Sequence, residues 1–148
     1  MAEFVWRPMR TPGHFISRLA RGMTRVGDAR LRELGFATAQ LPVLGALADG
    51  SERSQAELAR GAKVEQPTMA QLLARMERDG LIRRVPDPHD KRSSLVSLTE
   101  DARSRLPAGR EILVQGNRDA TRGLSPEEVE TLLGLLERVL ANVEAMEP

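Results

Sequence analysis

The sequence contains no cysteine and very few aromatic residues. Without thiols, disulfides, thiolate metal sites and thiol-based redox sensing are excluded. Aromatic residues make up only 3% of the chain and tyrosine is absent, so we expect a core of leucine, valine, alanine and methionine. The only histidines, His14 and His89, have no partners at metal-ligand spacing. We therefore expect neither a metal nor a cofactor.

Long apolar segments are also missing. No run approaches the roughly 20 residues that span a bilayer, and residues 1–12 lack the apolar core of a secretory signal. We therefore expect no membrane contact and a cytoplasmic location. The sequence also lacks a nucleophile elbow, a P-loop and the glycine pattern of a dinucleotide site, which argues against an enzyme.

The composition is that of a folded protein. The chain has 148 residues, 41% hydrophobic and 29% charged, which predicts a single globular domain over residues 1–148. The net charge is only +1, but residues 1–34 carry seven arginines against three acidic residues, whereas residues 99–148 carry ten acidic residues against six arginines. Either this is ordinary variation along a soluble chain, or one region faces a polyanion.

Apolar spacing predicts four helices in the first half of the chain. The first covers about residues 13–34 and ends at Gly35, and the second begins at an N-cap on Thr38. A third, short helix opens with a capping box from Ser54 to Glu57 and ends near Gly61. The fourth runs from about residue 66 to 78, with a buried stripe formed by Met69, Leu72, Leu73 and Met76.

The pattern then changes to that of a β-hairpin followed by two more helices. Residues 81–85 and 94–98 read as strands, joined by a long polar tip over residues 86–93. Thr99 is expected to cap the fifth helix, which Pro107 should kink. A capping box at Ser125 starts the last helix. Its broad stripe of leucine and valine predicts burial along its length, in the core or in a dimer seam.

Residues 54–98 therefore form a helix-turn-helix followed by a hairpin. In such a unit the first residues of the second helix meet base edges in the major groove, and an arginine at a hairpin tip can enter a minor groove. We expect Asp90 to hold Arg92 through a charge-assisted pair. The predicted DNA-binding residues are Ser54, Gln55, Gln66, Pro67, Thr68, Gln71, Arg75, Arg84, Asp90, Lys91 and Arg92.

The run from "SQAELARGAKVEQPTMAQLLARMERDGLIRR" through the "D-x-R" tip to "LTE" resembles the MarR family of bacterial transcriptional regulators. The resemblance implies a mainly α fold with a small β-hairpin wing. A winged helix-turn-helix over about residues 36–98 would be flanked by dimerisation helices over about 13–34 and 99–146. It further implies a homodimer on double-stranded DNA, acting as a ligand-responsive repressor at a pseudo-palindromic operator.

Family members are commonly released from DNA by small anionic or aromatic compounds. His14, Arg18 and Arg21 share one face of the first helix, so they are either a solvated face or part of such an effector site. An alternative for the whole chain is a winged helix that contacts proteins and not DNA. That alternative predicts an acidic or apolar recognition surface, which the exposed Gln and Arg positions of the fourth helix do not favour.

Overall fold

The computed structural model describes residues 7–148, and that stretch holds six α-helices and a small antiparallel sheet. It forms two compact units, one ending at Leu113 and one beginning at Val114. The expectation that residues 1–12 are not a secretory signal falls partly on residues 1–6, which lie outside the described residues. The helices are α1 (Pro12–Leu31), α2 (Leu41–Leu47), α3 (Gln55–Ala62), α4 (Gln66–Arg78), α5 (Glu100–Ala120) and α6 (Pro126–Met146), and the strands are β1 (Arg53–Ser54), β2 (Ile82–Asp87) and β3 (Asp90–Leu98). The mainly α architecture with a small wing is confirmed.

Helix α1 ends as the sequence predicts. A single 3-10 turn, Arg32–Leu34, follows it, and Gly35 then adopts a φ of +73°, a left-handed conformation that glycine accepts without a steric penalty. Gly27, near the end of α1, permits a close approach of the next segment. A Cβ at this position would lie 2.7 Å from Cγ2 of Thr38. Close packing therefore offsets the low helix propensity of this glycine.

The predicted N-cap at Thr38 is wrong. Thr38 is the first residue of a 3-10 turn, Thr38–Gln40, and α2 begins only at Leu41. Instead, Oδ1 of Asp28 in α1 accepts hydrogen bonds from the Thr38 backbone N–H at 2.8 Å and from the Thr38 hydroxyl at 2.7 Å. These two bonds hold the pKa of Asp28 below its usual 3.8. Burial opposes them in part, and nearby Arg32 makes the smallest contribution, which lowers the pKa.

The core of the first unit is aliphatic and lies where α2, α3, α4 and the sheet meet. Of the stripe predicted in α4, Met69, Leu73 and Met76 are fully buried, and Leu72 packs against them in a partly buried position. Phe36 is the one aromatic residue buried in the described part of the chain. The other buried large side chains are Leu31, Val43, Leu44, Leu47, Leu58, Leu81, Ile82, Val96 and Leu98.

The sequence predicted a two-stranded hairpin, but the sheet has three strands. The two-residue strand β1 pairs with β3, with Arg53 opposite Val96 and Ser54 opposite Leu95, so the strand order is β1-β3-β2. Two residues are too few to show the alternation that marks a strand. The third strand supports a hairpin that would be marginal in isolation.

The hairpin is also longer than predicted, and its connecting loop is shorter. Both strands run into the segment that the sequence assigned to a polar tip, so only Pro88 and His89 connect them. The prediction failed because this end of the ribbon has few buried apolar positions and so no apolar alternation. Pro86 is tolerated there because β2 is an edge strand.

Thr99 joins the end of the wing to α5. Its hydroxyl donates to the carbonyl oxygen of Gly80 at 2.7 Å and accepts from the backbone N–H of Ala102 at 3.2 Å, so it caps α5 as expected. The helix is continuous through Pro107. Within the first unit, α5 packs closely on Phe36, because a Cβ at Gly109 would lie 3.3 Å from that ring.

Arg105 ties the first turns of α5 to the end of α1. Its guanidinium donates to the carbonyl oxygen of Leu34 and, at 2.7 Å, to the carboxylate of Asp101. It also lies 5.3 Å from the centre of the Phe36 ring, in cation–π range. One side chain therefore fixes the corner between α1 and α2 against α5.

Helix α6, in the second unit, begins at the predicted capping box, in which Ser125 and Glu128 each bond the other's backbone N–H. Its apolar stripe is not buried within the chain, contrary to one of the two expectations. No residue of α6 is buried, and 38–74% of the surface of each of Leu132, Leu133, Leu135, Leu136, Val139, Leu140, Val143 and Met146 is exposed. The dimer seam remains the prediction for this face. Within residues 7–148, none of the helices is long and apolar enough to cross a bilayer.

Candidate nucleic-acid interface

Helices α3 and α4 form the predicted helix-turn-helix. Ser54 caps α3, since its hydroxyl accepts from the backbone N–H of Glu57 at 3.2 Å. The helix passes Gly61 and ends one residue later than predicted. Lys63 then takes the left-handed conformation with a φ of +53°, and the N–H of Val64 bonds back to the carbonyl of Ala59. This tight turn places the start of α4 beside the start of α3.

Helix α4 has one buried and one exposed side. Met69, Leu73 and Met76 anchor it in the core. The opposite side carries no acidic residue in its first turn, and Pro67 occupies a position where a backbone N–H is not needed. The five predicted contacts of α4 are all exposed: Gln66, Pro67, Thr68, Gln71 and Arg75. The first turn is polar and uncharged, which suits contacts with base edges. The cation that follows it, Arg75, suits a contact with a phosphate.

The predicted contacts on the two helices touch each other. The amide nitrogen Nε2 of Gln55, the first residue of α3, donates to Oε1 of Gln66, the first residue of α4, at 3.1 Å. Gln55 is half-buried and Gln66 is exposed. The structure therefore joins two residues, eleven positions apart in the sequence, at the outer edge of the helix-turn-helix.

A β-bulge presents the basic residues of the wing. Pro86 lies opposite Ser94, but the next residue, Asp87, lies opposite Asp90. Three consecutive residues of β3, Lys91–Ser93, are therefore left without partners in the ladder. Bulges of this kind bend a strand and redirect its side chains. Lys91 and Arg92 are both exposed at this point, which gives the predicted wing contacts a structural basis.

Asp90 does not act as predicted. Its Oδ1 accepts from the backbone N–H of Arg92 at 2.9 Å, whereas we expected a charge-assisted pair with the Arg92 side chain. The physical reason is the bulge, because it deprives this N–H of a ladder partner and a nearby carboxylate satisfies it. Asp90 thus shapes the backbone of the tip, and the guanidinium of Arg92 stays exposed.

Arg84 faces the recognition helix α4. Its Nε lies 3.8 Å from Oε2 of Glu77, and Arg83, on the other side of the strand, donates from Nε to the hydroxyl of Ser97 at 3.4 Å. Glu77 was not among the predicted site residues. The positions of Glu77 and Arg84 in the sequence do not reveal the contact, because it depends on how the strand folds back on α4.

The three basic residues proposed for an effector lie along α1. His14 is half-buried with its ring edge-on to Phe15, at 5.7 Å between ring centres, and Arg18 and Arg21 are exposed. Within residues 7–148 no carboxylate pairs with these three residues. The same stretch contains no cluster of three His, Asp or Glu residues that could hold a metal.

A helix-turn-helix with an exposed polar face on its second helix, completed by a hairpin with a cationic tip, defines the winged helix-turn-helix class of DNA-binding proteins. Comparison with known proteins supports the same class. A sequence model of the MarR family matches residues 34–93, the region from the end of α1 to the wing.

Three solved structures illustrate the similarity. A mutant of MarR from E. coli, complexed with operator DNA, is 28% identical, with 86% of this chain and 92% of that chain covered and a TM-score of 0.78. A probable transcriptional regulator from Pseudomonas aeruginosa is 29% identical, with 90% and 99% covered and a TM-score of 0.81. MepR from S. aureus, in a DNA complex, is 26% identical, with 90% and 98% covered and a TM-score of 0.81. The chain is therefore similar to members of the MarR family of DNA-binding transcriptional regulators, in sequence over residues 34–93 and in fold over most of its length.

Proposed function

We propose that the protein is a homodimeric repressor that binds a pseudo-palindromic operator in the bacterial cytoplasm, acting by binding and not by catalysis. The observation that carries the proposal is the α4 face of exposed Gln66, Thr68, Gln71 and Arg75 on a fold that a relative uses in a complex with operator DNA. The domain organisation belongs to the proposal: one domain over residues 1–148, with a DNA-binding region at about 36–98.

Recognition divides into base readout and positioning. Gln66, Thr68 and Gln71 would meet base edges in the major groove, with Pro67 beside them. Arg75, one turn further along, would hold a phosphate, together with Ser54 at the start of α3. The wing would place Arg92 in the minor groove and Lys91 at the backbone. Asp90 and Arg84 would contribute by fixing the tip and by holding the wing against α4.

The exposed apolar face of α6 supports the dimer. Large exposed apolar surfaces on a folded chain mark association sites, and this helix exposes seven leucine and valine side chains. A two-fold dimer would present two recognition helices to half-sites about one helical turn apart, roughly 10 bp. A pseudo-palindromic operator would mirror that symmetry.

Regulation would act on the spacing of the two recognition helices. An anionic or aromatic effector shifts the population only if it binds the DNA-incompetent spacing more tightly than the competent one. His14, Arg18 and Arg21 support an anionic effector, because three basic side chains share one side of α1 without a carboxylate partner in residues 7–148. Operator binding titrated with phenolic acids, for the wild type and Arg18→Ala, tests this part.

The central test is selection of bound fragments from random duplex DNA, followed by binding measurements on the enriched sequence. We expect a two-fold symmetric motif, and an affinity that falls steeply with salt because bound cations are released from the phosphates.

Arg92→Ala should weaken binding by about 1–3 kcal/mol and relax the preference at a minor-groove A·T pair. Asn117→Ala, on a helix outside the wing, serves as the control. No enrichment, or salt-independent binding, would favour the protein-contact alternative.

A further inference from the structure

The contact between Gln55 and Gln66 carries a consequence for base recognition, provided the proposed function holds. A glutamine side chain reads adenine bidentately only when its carbonyl oxygen and its NH₂ group both point the right way. On a solvent-exposed residue such as Gln66, the amide can rotate by 180° and exchange the two groups. An amide free to rotate presents a donor to some bases and an acceptor to others.

The hydrogen bond from Gln55 restricts this freedom. In the structure Nε2 of Gln55 donates to Oε1 of Gln66 at 3.1 Å, so Gln66 can exchange its oxygen and its NH₂ group only if the half-buried amide of Gln55 turns with it. This oxygen keeps a second lone pair, and both hydrogens on Nε2 of Gln66 remain available. Gln66 can therefore accept from N6 of an adenine while donating to its N7, without losing the bond to Gln55.

The position of Gln55 suits this role. It is the first residue of α3, which is anchored by the buried Leu58 and Ala59, and it is itself half-buried. Ser54, the preceding residue, is fixed twice, as the cap of α3 and as a paired residue of β1. The donor thus projects from a rigid part of the fold, whereas Gln66 stands on the exposed edge.

We propose that Gln55 is a positioning residue for base recognition: its hydrogen bond favours the orientation of the Gln66 side-chain amide that selects adenine. Gln55 then determines specificity at a base pair through Gln66. Its contribution is a preference for one base over the others at a single position of each half-site, and not affinity for DNA in general.

The test is the selection from random duplex DNA, repeated with Gln55→Met, Gln66→Met and the double variant, with Gln71→Met as the matched control. We expect wild type to favour adenine at one position by about tenfold or more, in the range of a good bidentate pair. Gln66→Met should abolish that preference. Gln55→Met should reduce it several-fold, leave the other positions unchanged, and add nothing in the Gln66→Met background. Gln71→Met should alter a different position, and its effect should add to that of Gln55→Met.

A second variant reverses the chemistry. The carboxylate of Gln55→Glu can only accept, so it should draw Nε2 of Gln66 towards itself and turn the carbonyl oxygen to the base, which reduces the adenine preference further. An added negative charge alone would weaken all sequences equally and leave the ranking of bases intact. That ranking is therefore the readout for both Gln55 variants.

The outcomes separate this inference from the proposed function. If wild type enriches a motif but neither Gln55 variant changes its base preference, Gln55 does not position Gln66 and the inference fails alone. The same holds if Gln66→Met leaves every position unchanged, or if Gln55→Met lowers affinity uniformly, as loss of a phosphate contact would. If wild type enriches nothing, the proposed function fails as well.

Discussion

The DNA-binding region, from the end of α1 to the start of α5, and the last helix, α6, use leucine in opposite ways. In the first, leucines at 31, 47 and 73 are completely buried in a shared core. In α6, leucines at 133, 135 and 140 are about half exposed, and no residue of the helix is buried. The two regions have similarly regular apolar stripes in the sequence, so the stripe alone does not reveal whether a helix is covered by its own chain.

The difference separates folding from association. The DNA-binding region buries its large apolar side chains within one chain. The apolar face of α6 gains its stabilisation only when something covers it, so its contribution should depend on protein concentration. Substitutions in each region should show how sharp this division is and where its border lies.

The largest effect is expected in the core of the DNA-binding region. Leu73→Ala removes a fully buried side chain from α4 and should cost about 2–5 kcal/mol of unfolding free energy, through lost burial and the cavity left behind. Urea unfolding followed by circular dichroism measures it. The cost should be the same at low and high protein concentration, because the cavity lies inside one chain.

The matched control is Leu140→Ala in α6, where 57% of the side chain is exposed. Its cost should be small at concentrations low enough to dissociate an oligomer and should grow as the concentration rises. If both variants lost the same unfolding free energy at every protein concentration, the proposed difference between the two regions would be wrong.

The sequence predicted the parts of the fold that short-range chemistry determines. The bounds of α4, the cap at Thr99 and the box at Ser125 each follow from a few adjacent residues, and all three are confirmed. The exposed face of α4 followed from the same periodicity that gave its buried face. The exposure of Arg92 at the wing was also expected, although the long loop proposed to present it was wrong.

What the sequence could not predict depends on residues that are far apart along the chain. Asp28 reaches Thr38 across ten positions and accepts from its backbone N–H and its hydroxyl, so Thr38 does not cap α2 as expected. The strand β1 exists only because β3 lies beside it. Asp90 bonds a backbone N–H because a bulge, invisible in the sequence, left that group without a partner. In each case the competing partner is supplied by tertiary structure.

A substitution at Arg105 tests whether the first turns of α5 belong to the DNA-binding region. Arg105→Ala removes the bond to the Leu34 carbonyl, the pair with Asp101 and the contact with the Phe36 ring. Hydrogen bonds from a charged donor and a cation–π contact predict a loss of about 1–3 kcal/mol in urea unfolding. Arg110→Ala, at an exposed position of the same helix, is the control and should change stability by less than about 0.5 kcal/mol. Indistinguishable midpoints for the two variants would place the border of the region before α5.

A substitution at Gly27 tests the other border of the DNA-binding region, where it meets α1. A Cβ at this position would lie 2.7 Å from Cγ2 of Thr38, so Gly27→Ala should overpack the junction and cost about 1–2 kcal/mol in spite of its better helix propensity. Gly45→Ala in α2 is the control, because nothing lies within 4 Å of its added Cβ. There the propensity gain should dominate and stabilise the protein by up to about 1 kcal/mol. Thermal unfolding of both variants decides the matter, since stabilisation by Gly27→Ala would mean that α1 is not packed against the Thr38 turn.

The smallest expected effect is a pH dependence at the same junction. The hydrogen bonds from Thr38 lower the pKa of Asp28 in the folded state below the 3.8 of an unperturbed carboxyl. A lowered folded-state pKa means that the contribution of Asp28 to stability is fully present above pH 3.8. It is lost as the pH falls through the lower, folded-state value. Asp28→Ala should therefore be less stable than wild type at pH 6, and the difference should shrink under strongly acidic conditions.

The comparison of wild type and Asp28→Ala by urea unfolding across this pH range can be paired with Thr38→Val, which removes the hydroxyl donor and keeps the backbone N–H. If the carboxylate acts through both groups, Thr38→Val should reduce the pH-dependent difference without abolishing it. A difference between wild type and Asp28→Ala that does not change with pH would assign the effect of Asp28 to packing and not to its charge. The junction between the end of α1 and the Thr38 turn would then be held by packing, without an electrostatic contribution from Asp28.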